Sequence, residues 1–352
     1  MSYEVDFLPV GDSYGDAIVI RYGDESGSFL HIVDGGRTDT ADTILEHLQK
    51  YYPTFFINHM VVSHADNDHA CGLIGVMKKV AVKHLWMNRP WLYAHQILHH
   101  FHGNFTLQGL IDDIKGRHPY LVELAELANA QGTVIHEVFQ GDIIGAFRVL
   151  APAKARYIDS IPDMEKSPTS YRAENAASQS FGLLRSIVEA AKKWFDEAWD
   201  VETLAENTST SASNESCVVQ YAELDGKGIL LTADVGPVGL TEAADYAAAL
   251  GLNRPQFVQV PHHGSRHNVT PPILDRWLGP RQPQGTFIGT AFCSIGANKP
   301  DYPRGQVKNA FMRRGFQVYS TRTKWLSHSA GGGHAGAAAA TPEEFSTKVE
   351  AP

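Results

Sequence analysis

Apolar residues along this chain fall mostly in short blocks of strand length, separated by polar turns, with longer amphipathic stretches between some of them. Residues 5–10 form an apolar-rich run and residues 17–22 a β-rich one. Gly11-Asp12-Ser13-Tyr14-Gly15-Asp16 lies between them as a turn signal. Residues 29–33 predict a third strand, ending in Asp34-Gly35-Gly36, where glycine lets backbone pass close to a neighbour. Residues 43–51 predict a helix with Ile44, Leu45 and Leu48 on one face. A strand ending at Val61-Val62, a helix opening at Gly72, a strand over 82–87 and a helical region over 90–130 follow. Strands are predicted at 133–138 and 147–150, turning at Gly141-Asp142. In the second half, 217–224 and 229–232 read as a hairpin around Asp225-Gly226-Lys227-Gly228. A helix at 241–250, a strand at 257–260, strand pieces at 287–288 and 292–295, a helix at 307–314 and a strand at 317–320 complete an α/β pattern.

Residues 153–213 break this pattern. They open with a polar, Pro-containing stretch and close with a Ser/Thr tract at 208–213. Between these, 181–199 predicts an amphipathic helix carrying Leu183, Leu184, Ile187, Val188, Ala191, Trp194, Phe195 and Trp199. The stretch reads as a helical insertion in a domain spanning 1–327, either a lid or an accessory helix. Residues 328–352, rich in Gly and Ala, are expected to be a flexible tail.

With 352 residues, 43% of them hydrophobic, the chain can bury a large core. A formal charge of −9 argues against a broad nonspecific grip on a nucleic-acid backbone, though not against a local basic groove. Cys71, Cys217 and Cys293 are odd in number and far apart, so no disulfide framework is implied. There is no signal-like segment and no apolar run approaching about 18 residues. A cytoplasmic protein without a membrane partner is expected.

The candidate chemistry gathers at strand ends. Val61-Val62-Ser63-His64-Ala65-Asp66-Asn67-Asp68-His69-Ala70-Cys71-Gly72 packs two His and two Asp into six positions directly after a strand. Such a set can converge from a tight turn on one or two cations. Imidazole and carboxylate together suit Zn, Mn or Fe rather than Ca. The bland alternative is a solvated turn with a capping Asp. Three further strands end in comparable residues: Asp34, Asp234 and the pair His262-His263. Four such ends are hard to explain without a shared site. Elsewhere, His95 and His99 would share a helix face, as a second metal site or as cleft-lining residues. Cys71 is a candidate thiol nucleophile or, alternatively, a small core residue.

The order of these motifs resembles the metallo-β-lactamase superfamily, in particular the hydrolase domain of ComEC-type competence proteins and their soluble relatives. The resemblance covers roughly residues 5–325, interrupted by the insertion. It is carried by Val10-Gly11 through Gly15-Asp16-Ala17-Ile18-Val19-Ile20, by Ile32-Val33-Asp34-Gly35-Gly36 and by Ser63-His64-Ala65-Asp66-Asn67-Asp68-His69. It continues in Asn214-Glu215-Ser216-Cys217-Val218-Val219, Leu231-Thr232-Ala233-Asp234, Val260-Pro261-His262-His263-Gly264-Ser265 and Ser294-Ile295-Gly296-Ala297-Asn298, with Tyr302-Pro303 after it.

The resemblance implies a four-layer αβ/βα metallo-β-lactamase sandwich with two divalent metal ions, Zn or Mn, at one edge. His64 and Asp66 would hold the first ion. Asp68, His69 and one His of the 262–263 pair, taken as His263, would hold the second. Asp234 would bridge them, and Asp34 would orient a ligand from behind. Asp68, His262 and His263 are the catalytic candidates, with a bridging hydroxide as nucleophile. Asn214, Ser265 and Asn298 are candidate supporting or substrate-contacting residues, with Ser265 and Asn298 equally suited to stabilising turns. Two departures stand out: Asp66 occupies a position where many superfamily members have His, and no His closely follows Pro152. The first ion site is therefore expected to be weaker, more open or better suited to Mn. The expected activity is a metal-dependent phosphodiesterase or nuclease acting on a phosphodiester substrate, with nucleic acid among the candidates. The alternatives are a small-molecule esterase of the phosphorylcholine-esterase type and a non-catalytic, metal-stabilised binding module.

Overall fold

In β1 (Ser2–Phe7) and β2 (Ala17–Asp24), alternate residues point to opposite sides of the sheet, as the strand repeat requires. Tyr3, Val5, Phe7, Ile18 and Ile20 lie on one side, in a core shared with Phe147, Val149, Phe257 and Phe292 from a second sheet. Ala17 and Val19 lie on the other, packed with Ile44, Leu48 and Leu73 of the helices Thr40–Tyr51 and Asn67–Met77. A third core joins Tyr221, Leu230, Val258 and Ala291 of the second sheet to Leu240, Ile273 and Phe311 of the helices Pro237–Ala249, Pro271–Leu278 and Gly305–Arg313. Three cores make four layers: helices, sheet, sheet, helices. The computed structural model describes residues 2–24, 27–53, 56–101, 105–169, 194–331, 333–334 and 338–350.

The two sheets repeat one plan. With β3 (Gly27–Gly35), β4 (Phe56–Val61), β5 (Ala81–Trp86), β6 (Val134–His136) and β15 (Leu326–Ala330), the first runs β15-β1-β2-β3-β4-β5-β6. Its pairings from β15 to β3 are antiparallel and those from β3 to β6 parallel. The second runs β14-β13-β12-β11-β10-β8-β7, where β7 is Ile143–Ile144, β8 Phe147–Ala151, β10 Val219–Leu224, β11 Lys227–Leu231, β12 Phe257–Gln259, β13 Gly289–Gly296 and β14 Phe316–Arg322. From β7 to β11 it is antiparallel, and from β11 to β14 parallel. In each sheet the chemistry-bearing loops leave the first two parallel strands, β3 and β4 in one and β11 and β12 in the other. The carboxyl ends of parallel strands are where α/β folds place their sites.

Several elements differ from the sequence expectation. The tail taken as flexible from 328 contributes to two ladders. Tyr3 pairs with Ala330 and Val5 with His328, while β16 (Lys348–Glu350) pairs with β9 (Trp194–Asp196). Strand pairing uses the backbone, so a small-residue composition does not forbid it. The predicted helix 181–199 lies outside the described residues up to 193, and its end, Trp194–Asp196, is strand β9. Its partner is far along the chain, where periodicity cannot reveal it. The described parts of 153–213 include the helices Lys154–Ser160 and Ala212–Glu215. Phe287 and Ile288 are exposed and precede β13 rather than forming a strand. His95 and His99 do not form a second metal site among the described residues. Both are exposed, and the helix Ala94–Ile97 gives way to a tighter turn at Leu98, so they do not share one continuous face. No described helix is long and apolar enough to cross a membrane.

Candidate metal centre

Strained backbone marks the loops that build the site. Asp34, Ala233, His262 and His263 all have positive φ, at 57°, 47°, 45° and 55°. Non-glycine residues seldom adopt this region, and such strain persists only where the surroundings enforce it. After Asp34 the chain passes so close to the helix Asn67–Met77 that a side chain on Gly72 would collide with the Gly35 carbonyl. The Gly72 amide donates to the Gly36 carbonyl at 3.1 Å. The β1–β2 loop reaches the same helix, where the Asp16 amide donates to the Asp68 carbonyl at 3.2 Å.

The buried Asp234 carboxylate is the point of convergence. Its Oδ2 lies 3.3 Å from His69 Nε2, 3.5 Å from His262 Nε2 and 4.0 Å from His64 Nε2, and its Oδ1 lies 3.6 Å from His263 Nε2. His64 Nε2 is also 3.4 Å from Asp66 Oδ2. Asp68 joins His69 and His263 in a set whose ligand atoms all lie within 4.8 Å of one another. His64, His69 and Asp234 form another such set, as do Asp16, Asp234 and His263.

The far side of each imidazole decides its tautomer. His69 Nδ1 donates to Asp34 Oδ2 at 2.8 Å, and His263 Nδ1 donates to the Ser294 carbonyl at 3.0 Å. Ser63 Oγ donates to Asp34 Oδ2 at 2.5 Å, which leaves it to accept from His64 Nδ1 at 3.0 Å. Asn268 Nδ2 donates to the Asp234 carbonyl at 2.8 Å, so its Oδ1 faces His262 Nδ1 at 2.9 Å as an acceptor. His64, His69 and His263 therefore keep a proton on Nδ1 and turn Nε2 toward the Asp234 carboxylate, and His262 Nε2 faces it too. Each of these contacts needs a proton or a metal ion between the nitrogen and the carboxylate. Consistently, the buried atoms His64 Nε2, His69 Nε2, His263 Nε2 and Asp234 Oδ1 have no hydrogen-bond partner among the described residues. The donor set thus fits divalent ions, and the buried clusters are consistent with a binuclear metal site.

The same field shows in the titration of the groups. Burial opposes charge on His69, yet Asp234 and Asp34 raise its pKa well above the ordinary histidine value. Burial would also raise Asp234, but His263, His69 and His262 hold it well below the usual carboxylate range. Burial raises Asp16.

The remaining expected residues fall in different places. Asp66 is partly exposed, within 3.6 Å of Lys166 Nζ and 3.4 Å of Ser213 Oγ. Asn214 is buried, with Nδ2 3.1 Å from His262 Nδ1 and donating to Thr210 Oγ1 at 2.9 Å. Ser265 is buried, and its hydroxyl accepts from the His267 amide at 3.3 Å, a turn-stabilising contact. Asn298 is exposed in the turn after β13 and is not among the converging side chains. Cys71 is buried and its thiol is raised by that burial, which disfavours a thiolate nucleophile. Sequence reasoning missed Asp16, Gln259, Asn268 and Lys166. Asp16 sits 3.7 Å from His69 Nδ1 and accepts from Gln259 Nε2 at 2.8 Å. Its carboxylate beside Gly15 was a signal in the sequence; a lone Asn, Gln or Lys offered none.

Helices, sheet, sheet, helices, with imidazole and carboxylate loops at one edge, is the arrangement of the metallo-β-lactamase fold. The chain has that fold. No family model matches the chain, and no curated protein matches its sequence. Among solved structures, it is similar to the metallo-β-lactamase fold protein YhfI from Bacillus subtilis, with 10% identity, 94% of this chain and 100% of that chain covered, and a TM-score of 0.41. A diphosphatase from the PhnP family aligns with 11% identity, coverage of 94% and 98%, and a TM-score of 0.39. The metallo-β-lactamase SMB-1 bound to 2-mercaptoethanesulfonate aligns with 9% identity, coverage of 78% and 86%, and a TM-score of 0.32. At such identities and TM-scores these likenesses carry no argument, and the chemistry must be read from this chain's own side chains.

Proposed function

We propose that this chain is a binuclear metal-dependent hydrolase of phosphodiesters, with nucleic acid as the substrate class to test first. The observation that carries the reading is the convergence of four imidazole Nε2 atoms on the buried Asp234 carboxylate. His64 and Asp66 would hold one ion, Asp68, His69 and His263 the other, with Asp234 between them. Bound there, the ions would supply Lewis acidity, activating water and neutralising charge that develops on the oxygens around the attacked phosphorus.

The protein's own groups do the rest. Asp34 and Ser63 hold His69 and His64, while the Ser294 carbonyl and Asn268 hold His263 and His262. His262, with a side chain 32% exposed, would take a proton from the attacking water on Nε2 and return it to the leaving oxygen. The Tyr14 ring stacks on His263 with centroids 5.6 Å apart, and Lys299 Nζ lies 4.3 Å from the Tyr14 centroid. Arg304 lies over Tyr302, which meets Tyr14 edge-on. With Lys166 beside Asp66, these groups give the acidic protein a local cationic and aromatic rim, suited to a phosphate and a planar base. The overall charge of −9 favours a short or single-stranded substrate over a long duplex. The ComEC-type motif order supports the same choice.

The test is hydrolysis of single-stranded DNA and of bis(p-nitrophenyl) phosphate by protein loaded with Mn or Zn. Cleavage of both is expected. Cleavage of the small ester alone would remove the nuclease reading in favour of a small-phosphodiester hydrolase. Cleavage of neither by protein holding two ions per chain would overturn both. Lys166→Ala should raise KM for the phosphodiester roughly three- to tenfold with little change in kcat, because a partly exposed cation contributes to binding rather than to chemistry. Steady-state kinetics on the small ester would check this, and a fall in kcat alone would contradict it.

A further inference from the structure

The ligand-type residues are divided between the two sheets. His64, Asp66, Asp68 and His69 lie just after β4 of the first sheet, while Asp234 follows β11 and His262 and His263 follow β12 of the second. Asp234 Oδ2 and His69 Nε2, 3.3 Å apart, face each other across that divide. Apolar packing between the sheets has no preferred direction, so a centre built across them needs a directional contact nearby.

Asp16 and Gln259 supply one. Asp16 directly precedes β2 in the first sheet, Gln259 ends β12 in the second, and both are 2% exposed. Gln259 Nε2 donates to Asp16 Oδ2 at 2.8 Å. Its Oε1 accepts from the Thr232 and Ala233 amides, both at 2.9 Å. Two backbone donors at Oε1 fix the orientation of this amide, so only Nε2 can meet the carboxylate. Asp16 is tied as closely to the first sheet's loops. Its amide donates to the Asp68 carbonyl at 3.2 Å, and its carbonyl accepts from the Gly36 amide at 2.6 Å. A Cβ on Gly15 would lie 2.5 Å from the Asp68 carbonyl oxygen, so the hairpin sits directly against that loop. The contacts thus run from Asp68 through Asp16 and Gln259 to Ala233, which is held at a φ of 47° and precedes Asp234. The Ala233 carbonyl in turn accepts from the His262 amide at 3.0 Å.

We propose that the Asp16–Gln259 bond is a positioning strut that sets the Asp234 carboxylate against the ligands of the first sheet. This role rests on the reading of Asp234 as the residue between two ions. Asp16 acts through Gln259 and Ala233 rather than as a ligand. It does bring a carboxylate oxygen within 4.8 Å of ligand atoms of Asp234 and His263. Its Oδ2, however, is engaged by Gln259, and His69 Nδ1, 3.7 Å away, donates to Asp34 at 2.8 Å instead. The position of Gln259 calls for an acceptor toward two amides and a donor toward a carboxylate, which an ionised glutamate cannot provide.

The experiment compares the full chain with two variants. Asp16→Ala removes the strut and leaves Gln259 on its two amides. Asp16→Asn combined with Gln259→Glu reverses donor and acceptor in the bond and conserves net charge. The readouts are the zinc dissociation constant from chelator competition and the visible spectrum of each protein loaded with cobalt(II), with circular dichroism of the metal-free proteins as the check on folding. Asp16→Ala is expected to bind zinc about ten- to a hundredfold more weakly and to change the cobalt spectrum, as loss of a group that holds a metal ligand in place does. The exchanged pair is expected to bind within about threefold of the parent and to restore its spectrum. A folded Asp16→Ala protein within about threefold of the parent would overturn the strut. So would an exchanged pair as weak as Asp16→Ala, since the charge on residue 16 itself would then be what the metal needs. The exchanged pair keeps every donor and acceptor, so it tests the strut even if Asp16→Ala fails to fold. Either overturning result leaves a parent that still binds its ions and a metal centre that stands. A parent that binds none removes the centre, and the strut with it.

Discussion

Asp234→Asn is expected to lose stoichiometric metal and at least about a thousandfold in kcat, the equivalent of about 4 kcal/mol of transition-state stabilisation. The substitution keeps the shape of the side chain and removes only its charge. That charge is what four imidazole Nε2 atoms face, at 3.3 to 4.0 Å. An amide in its place would leave the ions a set of neutral nitrogens on this side, with no anion between them. The measurement is metal content per chain together with the melting temperature with and without added zinc. The parent should gain stability on zinc addition, by about 4 kcal/mol when free metal is a thousandfold above Kd. The gain assigned to this centre should vanish in the variant. An Asp234→Asn protein that retains its ions and stays within tenfold of parental activity would remove the proposed centre.

The second large effect is expected at Asp34, which touches neither the substrate space nor Asp234. Its two oxygens accept from the Ser63 amide at 2.8 Å, from Ser63 Oγ and from His69 Nδ1 at 2.8 Å, all in a buried site. Asp34→Ala leaves three buried donors without an acceptor and places alanine at a φ of 57°, where its Cβ is disfavoured. A loss of about 3–5 kcal/mol in unfolding free energy is expected, the range for stripping the partner from a buried charged network, and urea denaturation would measure it. Asp34→Asn keeps one acceptor oxygen and should cost less stability. It should still weaken metal binding roughly ten- to a hundredfold, because the His69 tautomer is no longer enforced. If Asp34→Ala unfolds within about 1 kcal/mol of the parent, Asp34 is only a turn residue.

The outcome at individual residues shows what sequence pattern can reach. Asp34, the His64–His69 group, Asp234 and His262-His263 were legible because each follows a β-rich run and precedes a turn signal. Asp16 had the same form, in the hairpin before β2, but acidic turn residues are too common to single out. Asn268, Gln259 and the Ser294 carbonyl were invisible. Their role is to hold a ring or a carboxylate from behind, and this leaves no spacing rule. That residues 328–330 and 348–350 of the tail pair as strands was not legible, because composition reports side-chain burial and these ladders use the backbone. The His95–His99 pair was suggestive only while the helix was assumed continuous.

The sequence by itself determined the α/β class, most of the elements before residue 153 and the four strand ends that carry ligand-type residues, because hydrophobic periodicity and turn chemistry are local. Only the tertiary structure decided that these ends meet on one carboxylate, that acceptors stand behind the His64, His69 and His263 rings, and that His334 reaches Asp6. Those facts depend on which distant strands pair and which loops share an edge, and such contacts are set by the packing of whole sheets rather than by any stretch of neighbouring residues.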